Sequence, residues 1–140
     1  GLSIDEIQGI ETEFSFRFPP DLRAFLEEAL PVSPGWANWR ASDRADLRER
    51  LEWPYEGICF DIEHNEFWMD EWGEQPKEMS ERFEIARRAV AAAPTLVPIM
   101  GHRYIPEKPY EAGNPVFSVY QSDIIYYGMD LTDFLANEFP

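Results

Sequence analysis

Two apolar segments joined by a two-residue link occupy residues 116–127 and decide the class of the fold. They read Val116-Phe117-Ser118-Val119-Tyr120, then Gln121-Ser122, then Asp123-Ile124-Ile125-Tyr126-Tyr127. β-branched and aromatic residues dominate both segments, and so short a link between such segments is typical of a β-hairpin. A further strand-like segment precedes them, because Leu96–Met100 continues toward Ile105. The C-terminal half therefore predicts neighbouring antiparallel strands.

Two more strands are predicted in the middle of the chain. Residues 58–62 alternate large apolar side chains with Cys59 and Asp61, which is the two-residue period of a half-buried strand. Residues 63–66 are predicted to turn, and residues 67–69 to form a second, shorter strand. The sheet is therefore expected to have about five strands.

Helical patterns surround the predicted strands. The expected helices are Ser3–Phe14 with the capping-box pair Ser3 and Glu6, a second that begins at Pro19-Pro20, and a weaker third from Ser42 to Trp53 that Pro54 stops. Two more are expected between Pro76 and Pro94 and after Asp130, the last with Leu131, Phe134, Leu135 and Phe139 facing inward. No repeat or long linker divides the chain, so residues 1–140 are predicted to form a single α+β domain with a mostly antiparallel sheet flanked by helices.

Composition narrows the classes of function. The 140 residues include 27 acidic and 12 basic side chains, for a formal net charge of −15, and 15% of them are aromatic. So many aromatic residues argue against a disordered acidic chain, and so negative a surface repels nucleic acid and anionic lipid. One cysteine excludes an internal disulfide and fits a reducing compartment. Since no membrane-span or signal pattern is present, we expect a cytoplasmic protein with a cationic protein partner.

The negative charge is concentrated in residues 56–81, which hold nine acidic residues and one basic residue, Lys77. Large aromatic side chains lie among them. Carboxylates interleaved with aromatic rings suit docking against a basic protein. The predicted partner-binding residues are Glu63, Glu66, Asp70, Glu71 and Glu74, which would steer the encounter, with Trp68 and Trp72 as anchors. The alternative is a solvated acidic face whose aromatic residues belong to the core, and Phe67 is expected to be a core residue.

Catalytic patterns are missing from the sequence. It contains no Gly-x-Ser-x-Gly segment, no zinc-ligand spacing, no phosphate-binding glycine loop and no Asp-x-Asp-x-Asp-Gly calcium loop. No catalytic residue, cofactor or metal is therefore expected, and Cys59 is interpreted as a small core side chain. One weak catalytic set remains, in which a carboxylate and a histidine act as acid and base in a shared cleft. Its members are Asp61, His102, Tyr104, Tyr126 and Tyr127.

Several segments together resemble a known family. They are Phe18-Pro19-Pro20-Asp21-Leu22-Arg23-Ala24-Phe25-Leu26, residues 57–61, the pairs Phe67-Trp68 and Trp72-Gly73, residues 96–106, residues 113–120 and residues 123–128. In this order they resemble the SUKH superfamily of Smi/Knr-like domains. One segment departs from the family pattern, because Ala29-Leu30-Pro31 stands where members usually have Asn-Gly or Gly-Gly.

The resemblance implies an α+β fold with a curved antiparallel sheet, and a protein-binding module without catalytic residues. Many bacterial members are immunity proteins that neutralise toxins, often nucleases, whereas fungal relatives are regulatory scaffolds. We therefore expect a non-enzymatic immunity protein that occludes a basic toxin domain. The alternatives are an intracellular regulatory scaffold, or a small-ligand binder or enzyme that uses the concave face of the sheet near His102.

Overall fold

A four-stranded antiparallel sheet organises the chain in the computed structural model, which describes residues 1–138. Its strands are β1 (Leu96–Met100), β2 (Arg103–Pro106), β3 (Val116–Tyr120) and β4 (Asp123–Gly128), and they lie in sequence order across the sheet. The predicted α+β class and antiparallel sheet are confirmed. The predicted inward position of Phe139 lies outside the described residues.

Tight turns connect the strands at each end of this sheet. The segment that begins at Leu96 does not run on as one strand, because Gly101 adopts φ +53° and the chain reverses into β2. A glycine adopts this left-handed conformation without steric cost. The predicted two-residue link between β3 and β4 is confirmed, with Gln121 at φ +57° and Tyr120 paired with Asp123. Because β4 is the last strand in the order, it lies at the edge of the sheet.

Five helices flank the sheet in the described part of the chain. They are α1 (Ile4–Phe14), α2 (Pro20–Glu28), α3 (Ala45–His64), α4 (Met79–Ala92) and α5 (Leu131–Glu138). The predicted capping box at α1 is confirmed, since the Ser3 hydroxyl accepts from the Glu6 N–H at 3.1 Å and Glu6 Oε1 accepts from the Ser3 N–H at 3.0 Å. The start of α2 at the proline pair is confirmed as well.

The third helix differs most from the prediction, because Pro54 lies inside it and does not stop it. Proline lacks an N–H, so the carbonyl of Arg50, four residues earlier, loses its helical partner. The Tyr104 hydroxyl replaces that partner and donates to the Arg50 carbonyl at 2.6 Å. The neighbouring Trp53 donates its Nε1–H to the Val119 carbonyl at 2.9 Å. Contacts with the sheet therefore hold the helix together at its proline.

The strands predicted at residues 58–62 and 67–69 are wrong, so the sheet has four strands rather than about five. Residues 58–62 continue α3, where Ile62 is buried and Phe60 is 47% exposed. The chain then runs through a loop to a short 3₁₀ helix, Asp70–Trp72. The apolar residues at positions 58 and 62 lie four apart, so they share one face of a helix as well as one face of a strand.

The helices form two layers on the sheet. On one face, buried residues of β1, β2 and β3 join a hydrophobic cluster with α1, α2 and α5. The other face packs against α3, which in turn contacts α4. At Gly57 the helix passes so near the β3–β4 turn that a Cβ atom there would lie 2.7 Å from the Gln121 Cα. This close approach places the C-terminal end of α3 beside the start of β4.

Candidate protein-binding surface

Five carboxylates extend from the end of α3 across the following loop. They belong to Glu63, Glu66, Asp70, Glu71 and Glu74, and we call them the acidic surface. All five side chains are exposed. Glu63 lies in the last turn of α3, Asp70 and Glu71 in the 3₁₀ helix, and the other two in loops. The predicted steering residues therefore lie exposed along one short stretch of chain, residues 63–74.

Asp61 fixes the place where this stretch leaves the helix. Its backbone carbonyl accepts from the N–H groups of Asn65 at 2.9 Å and Phe67 at 3.1 Å, and Glu66 between them adopts φ +55°. Its side chain accepts from Asn65 Nδ2 at 2.6 Å and from the Ser122 N–H at 2.7 Å. The chain is thereby reversed at the end of α3 and attached to the β3–β4 turn.

The same hydrogen bonds control the charge of Asp61. The carboxylate is 5% exposed. Burial opposes its ionisation, but the hydrogen bonds from Ser122 and Asn65 outweigh burial and lower the pKa of Asp61 below its ordinary value of 3.8. Asp61 is therefore an ionised structural residue.

Trp68 and Trp72 form a compact aromatic pair among these carboxylates. Their ring centroids lie 5.1 Å apart at an interplanar angle of 85°, and Trp68 donates its Nε1–H to the Gly73 carbonyl at 2.8 Å. Phe67 packs edge-on against Trp72 at 5.8 Å. Phe67 is half-buried and outside the hydrophobic core cluster, so the expectation that it is a core residue is not met. Both tryptophans are half-buried and held in fixed orientations, as anchor residues of an interface are.

Arginine side chains neutralise acidic residues elsewhere in the protein. The pairs are Arg23–Glu27, Arg40–Glu6, Arg44–Glu13, Arg48–Glu13, Arg50–Asp46 and Arg87–Glu52. Within residues 1–138, no arginine or lysine lies within 4 Å of a carboxylate of the acidic surface, and Glu63 approaches only His64, at 3.9 Å. No arginine or lysine of the described residues therefore offsets the negative charge of the acidic surface.

The weak catalytic set does not form one acid–base centre. The Asp61 carboxylate is occupied by Ser122 and Asn65, and the buried Tyr104 hydroxyl donates to the Arg50 carbonyl. Tyr126 and Tyr127 project from β4, where the Tyr126 ring lies against Phe117. Each of these groups has a separate structural contact.

His102 lies in a small cleft that Tyr104, another member of the predicted set, also lines. The His102 ring stacks on Trp53, with centroids 4.7 Å apart and planes at 14°. The cleft has a volume of about 200 Å³, and Asp46, Glu49 and Arg50 contribute to its walls. Arg50 is paired with Asp46 at 2.8 Å. Stacked rings beside charged groups can hold a small planar ligand.

Cys59 has a different environment from the one predicted, because it lies in α3 and not in a strand. It is half-buried, and burial raises the pKa of its thiol, which keeps the thiol protonated and unreactive. Burial likewise raises the pKa of the nearby Tyr55 to about 12. Arg87 lies 3.6 Å from the Tyr55 ring and forms a two-point contact with Glu52, at 2.9 and 3.1 Å.

The exposed apolar side chains of β4 are the feature that sequence reasoning missed. Ile124, Ile125, Tyr126 and Tyr127 are all exposed, although they alternate between the two faces of the sheet. The sequence carried a signal for this exposure. The last strand of a meander has no following strand to cover it, so apolar residues at its successive positions remain exposed.

The described residues contain no group of three or more His, Cys, Asp or Glu side chains arranged to hold a metal ion, and none of their helices is long and apolar enough to cross a membrane. Comparison of the chain with protein-family models, with curated proteins and with solved structures finds no match.

Proposed function

We propose that this protein is a non-enzymatic binding module that attaches to a basic protein through the acidic surface, with Trp68 and Trp72 as anchors. One observation carries the proposal: five exposed carboxylates without a cationic partner among the described residues lie within the same twelve residues as an aromatic pair that is fixed by an edge-on contact and a hydrogen bond. A surface that only had to be hydrated would not need its tryptophans held by a hydrogen bond and an edge-on contact.

The two kinds of residue have different roles in such an interface. Unpaired carboxylates attract a cationic protein over a distance of several ångströms and raise the rate of encounter. Aromatic rings that are held rigid lose little entropy on binding, so they contribute most to the lifetime of the complex. The acidic surface therefore supplies speed and orientation, and the aromatic pair supplies affinity.

The partner that fits this chemistry best is a toxin domain that acts on nucleic acid. Such a domain must attract phosphate groups, so its active surface is basic, and an acidic protein can cover it by imitating that charge. The resemblance to SUKH immunity proteins supports the same proposal, in which the protein acts in the cytoplasm. A regulatory scaffold is the second candidate, and it differs in having a basic partner that is not a toxin.

The test compares two variants that carry the same net charge. The first neutralises the acidic surface: Glu63→Gln, Glu66→Gln, Asp70→Asn, Glu71→Gln and Glu74→Gln. The control neutralises five exposed acids elsewhere: Asp5→Asn, Glu28→Gln, Glu49→Gln, Glu84→Gln and Glu111→Gln. The two variants and the wild-type protein are immobilised on separate supports, and the proteins that each one binds are recovered from an extract of the source cells.

A basic protein should be retained by the wild-type protein and by the control, and lost by the first variant. The rate at which this partner associates with the wild-type protein should fall about tenfold or more when salt is raised, on the order of what strong steering contributes. Its association with the first variant should be slower by a similar factor at low salt. Retention of the same partner by both variants with equal rates would show that the binding surface lies elsewhere.

A further inference from the structure

The outer side of β4 is an open sheet edge with apolar side chains on both faces. Ile125 is 61% exposed and Tyr126 is 76% exposed, although they point to opposite faces of the sheet. Within the described chain, β4 pairs only with β3, since the strand order ends there. Exposed edges with large apolar residues pair readily with another strand, and proteins normally protect them with charges, prolines or bulges. Along the five residues from Asp123 to Tyr127, Asp123 is the only charge and there is no proline, and the one irregularity in the pairing with β3 lies at Tyr127, after the regular stretch from Asp123 to Tyr126.

The backbone of β4 has free groups on that edge. In β3, Val119 donates its N–H to the His102 carbonyl at 2.9 Å, and its own carbonyl accepts from Trp53 Nε1. Both groups of Val119 therefore point away from β4. Val119 pairs in register with Ile124, and backbone groups alternate along an antiparallel pair. The N–H and carbonyl groups of Ile124, and of Tyr126 two residues later, thus point to the open edge.

We propose that a second copy of this chain occupies the edge, with its β4 antiparallel to the first β4 and a two-fold axis at Ile125. In this register Ile124 of each copy bonds to Tyr126 of the other copy, and the two Ile125 side chains meet at the axis. The outward backbone groups of Ile124 and Tyr126 are then used, and the two sheets become one continuous sheet of eight strands. A two-fold interface requires such a self-complementary edge.

Charges at the edge favour a second copy as the occupant. The same register places Asp123 of one copy opposite Tyr127 of the other. The guanidinium of Arg103 lies 4.1 Å from the Tyr127 ring centroid, and Arg103 Nε is buried without a hydrogen-bond partner. Asp123 is exposed, so its carboxylate is available to that guanidinium across the axis. Asp123 on β4 and the guanidinium of Arg103, which reaches Tyr127 from β2, are therefore an acid and a cation that can pair twice across the two-fold axis.

Net charge opposes this association and gives it a distinctive salt dependence. Each copy carries −15, and the acidic surface lies near the β3–β4 turn because Asp61 binds Ser122. Repulsion between two such copies is long-ranged and is screened by salt. The dimer should therefore become tighter as ionic strength rises, the opposite of the salt dependence proposed for the basic partner.

The first experiment is sedimentation equilibrium of the full chain over a range of concentrations, at low salt and at about 0.5 M NaCl, where the screening length falls to a few ångströms. The wild-type protein should form dimers, more of them at high salt. Ile125→Lys puts two like charges at the axis and should raise the dissociation constant at least tenfold. The matched control is Ile4→Lys, since Ile4 is 59% exposed but lies on α1.

The second experiment tests the register and does not depend on how well Ile125→Lys folds. In a Cys59→Ser background, Ile125→Cys places two thiols across the axis, at a spacing that a disulfide can close. Mild oxidation should give a covalent dimer, and Ile4→Cys in the same background should not. A monomer under all conditions, a dimer insensitive to Ile125→Lys, or no crosslink at position 125 would each overturn the proposal.

Discussion

Asp61 joins the last turn of α3 to the β3–β4 turn through its two carboxylate oxygens. One accepts from Asn65 Nδ2 and the other from the Ser122 N–H. The acidic surface begins two residues later, so its position depends on this single side chain. An alternating pattern placed Asp61 on a predicted strand, and no local signal indicated that it would accept hydrogen bonds from a residue 61 positions away.

We expect Asp61→Asn to lower the free energy of unfolding by about 1–3 kcal/mol at pH 7, the cost of leaving a buried donor without its acceptor. The folded-state pKa of Asp61 is below 3.8, so the carboxylate stabilises the protein at pH values above the unfolded pKa. That contribution is lost as pH falls through the folded-state pKa, because both states then bind the proton.

The measurement is urea unfolding of the wild-type protein and the variant at pH 7 and in steps below pH 4. The difference between them should shrink as pH falls. Glu66→Gln is the control, since Glu66 is exposed and its carboxylate accepts no hydrogen bond among the described residues. A difference that stayed constant down to the lowest pH would show that Asp61 acts by shape and not by charge.

At the scale of one element, α3 continues through Pro54 because Tyr104 takes over a helical hydrogen bond. We expect Tyr104→Phe to destabilise the protein by about 1–3 kcal/mol, because the Arg50 carbonyl then stays buried without a donor. In a Pro54→Ala background the new N–H can bond to Arg50, so the same change should cost less. A double-mutant cycle should give a coupling energy on the order of 1 kcal/mol.

Tyr127→Phe is the control for this cycle, because the Tyr127 hydroxyl contacts Glu138 at 3.4 Å, away from α3. Its effect should add to that of Pro54→Ala. If Tyr104→Phe were equally costly with and without the proline, the hydroxyl would not be compensating for the missing N–H.

Elements whose signals are local were predictable from the sequence. The capping box at Ser3, the proline start of α2 and the two-residue link at Gln121-Ser122 each act within a few residues. The continuation of α3 was not predictable, since the donor that rescues Arg50 lies 54 residues away. The acidic residues of the surface were evident from composition. The open edge of β4 also had a sequence signal, the apolar residues at successive positions of the last predicted strand, but that signal was missed.

At the scale of the whole molecule, cations are distributed unevenly. Arginines pair with acids on α1, α2 and α3, as in Arg40–Glu6 and Arg87–Glu52, and the acidic surface receives none of them among the described residues. Like charges crowded together destabilise the folded state, because unfolding separates them. A protein that keeps such a cluster gives up stability for another purpose, as binding sites commonly do.

This uneven distribution of cations predicts how the free energy of unfolding responds to neutralisation and to salt. Neutralising the acidic surface, by the five substitutions from Glu63→Gln to Glu74→Gln, should raise the free energy of unfolding at low salt by about 0.5–2 kcal/mol, a few tenths for each like-charge contact removed. Neutralising the scattered set from Asp5→Asn to Glu111→Gln should raise it less, since those acids lie farther apart in the sequence. In about 0.5 M NaCl both gains should shrink, because salt already screens the repulsion. Urea unfolding at the two salt concentrations measures this, and a loss of stability in the first variant would mean that these carboxylates stabilise the fold rather than await a cationic partner.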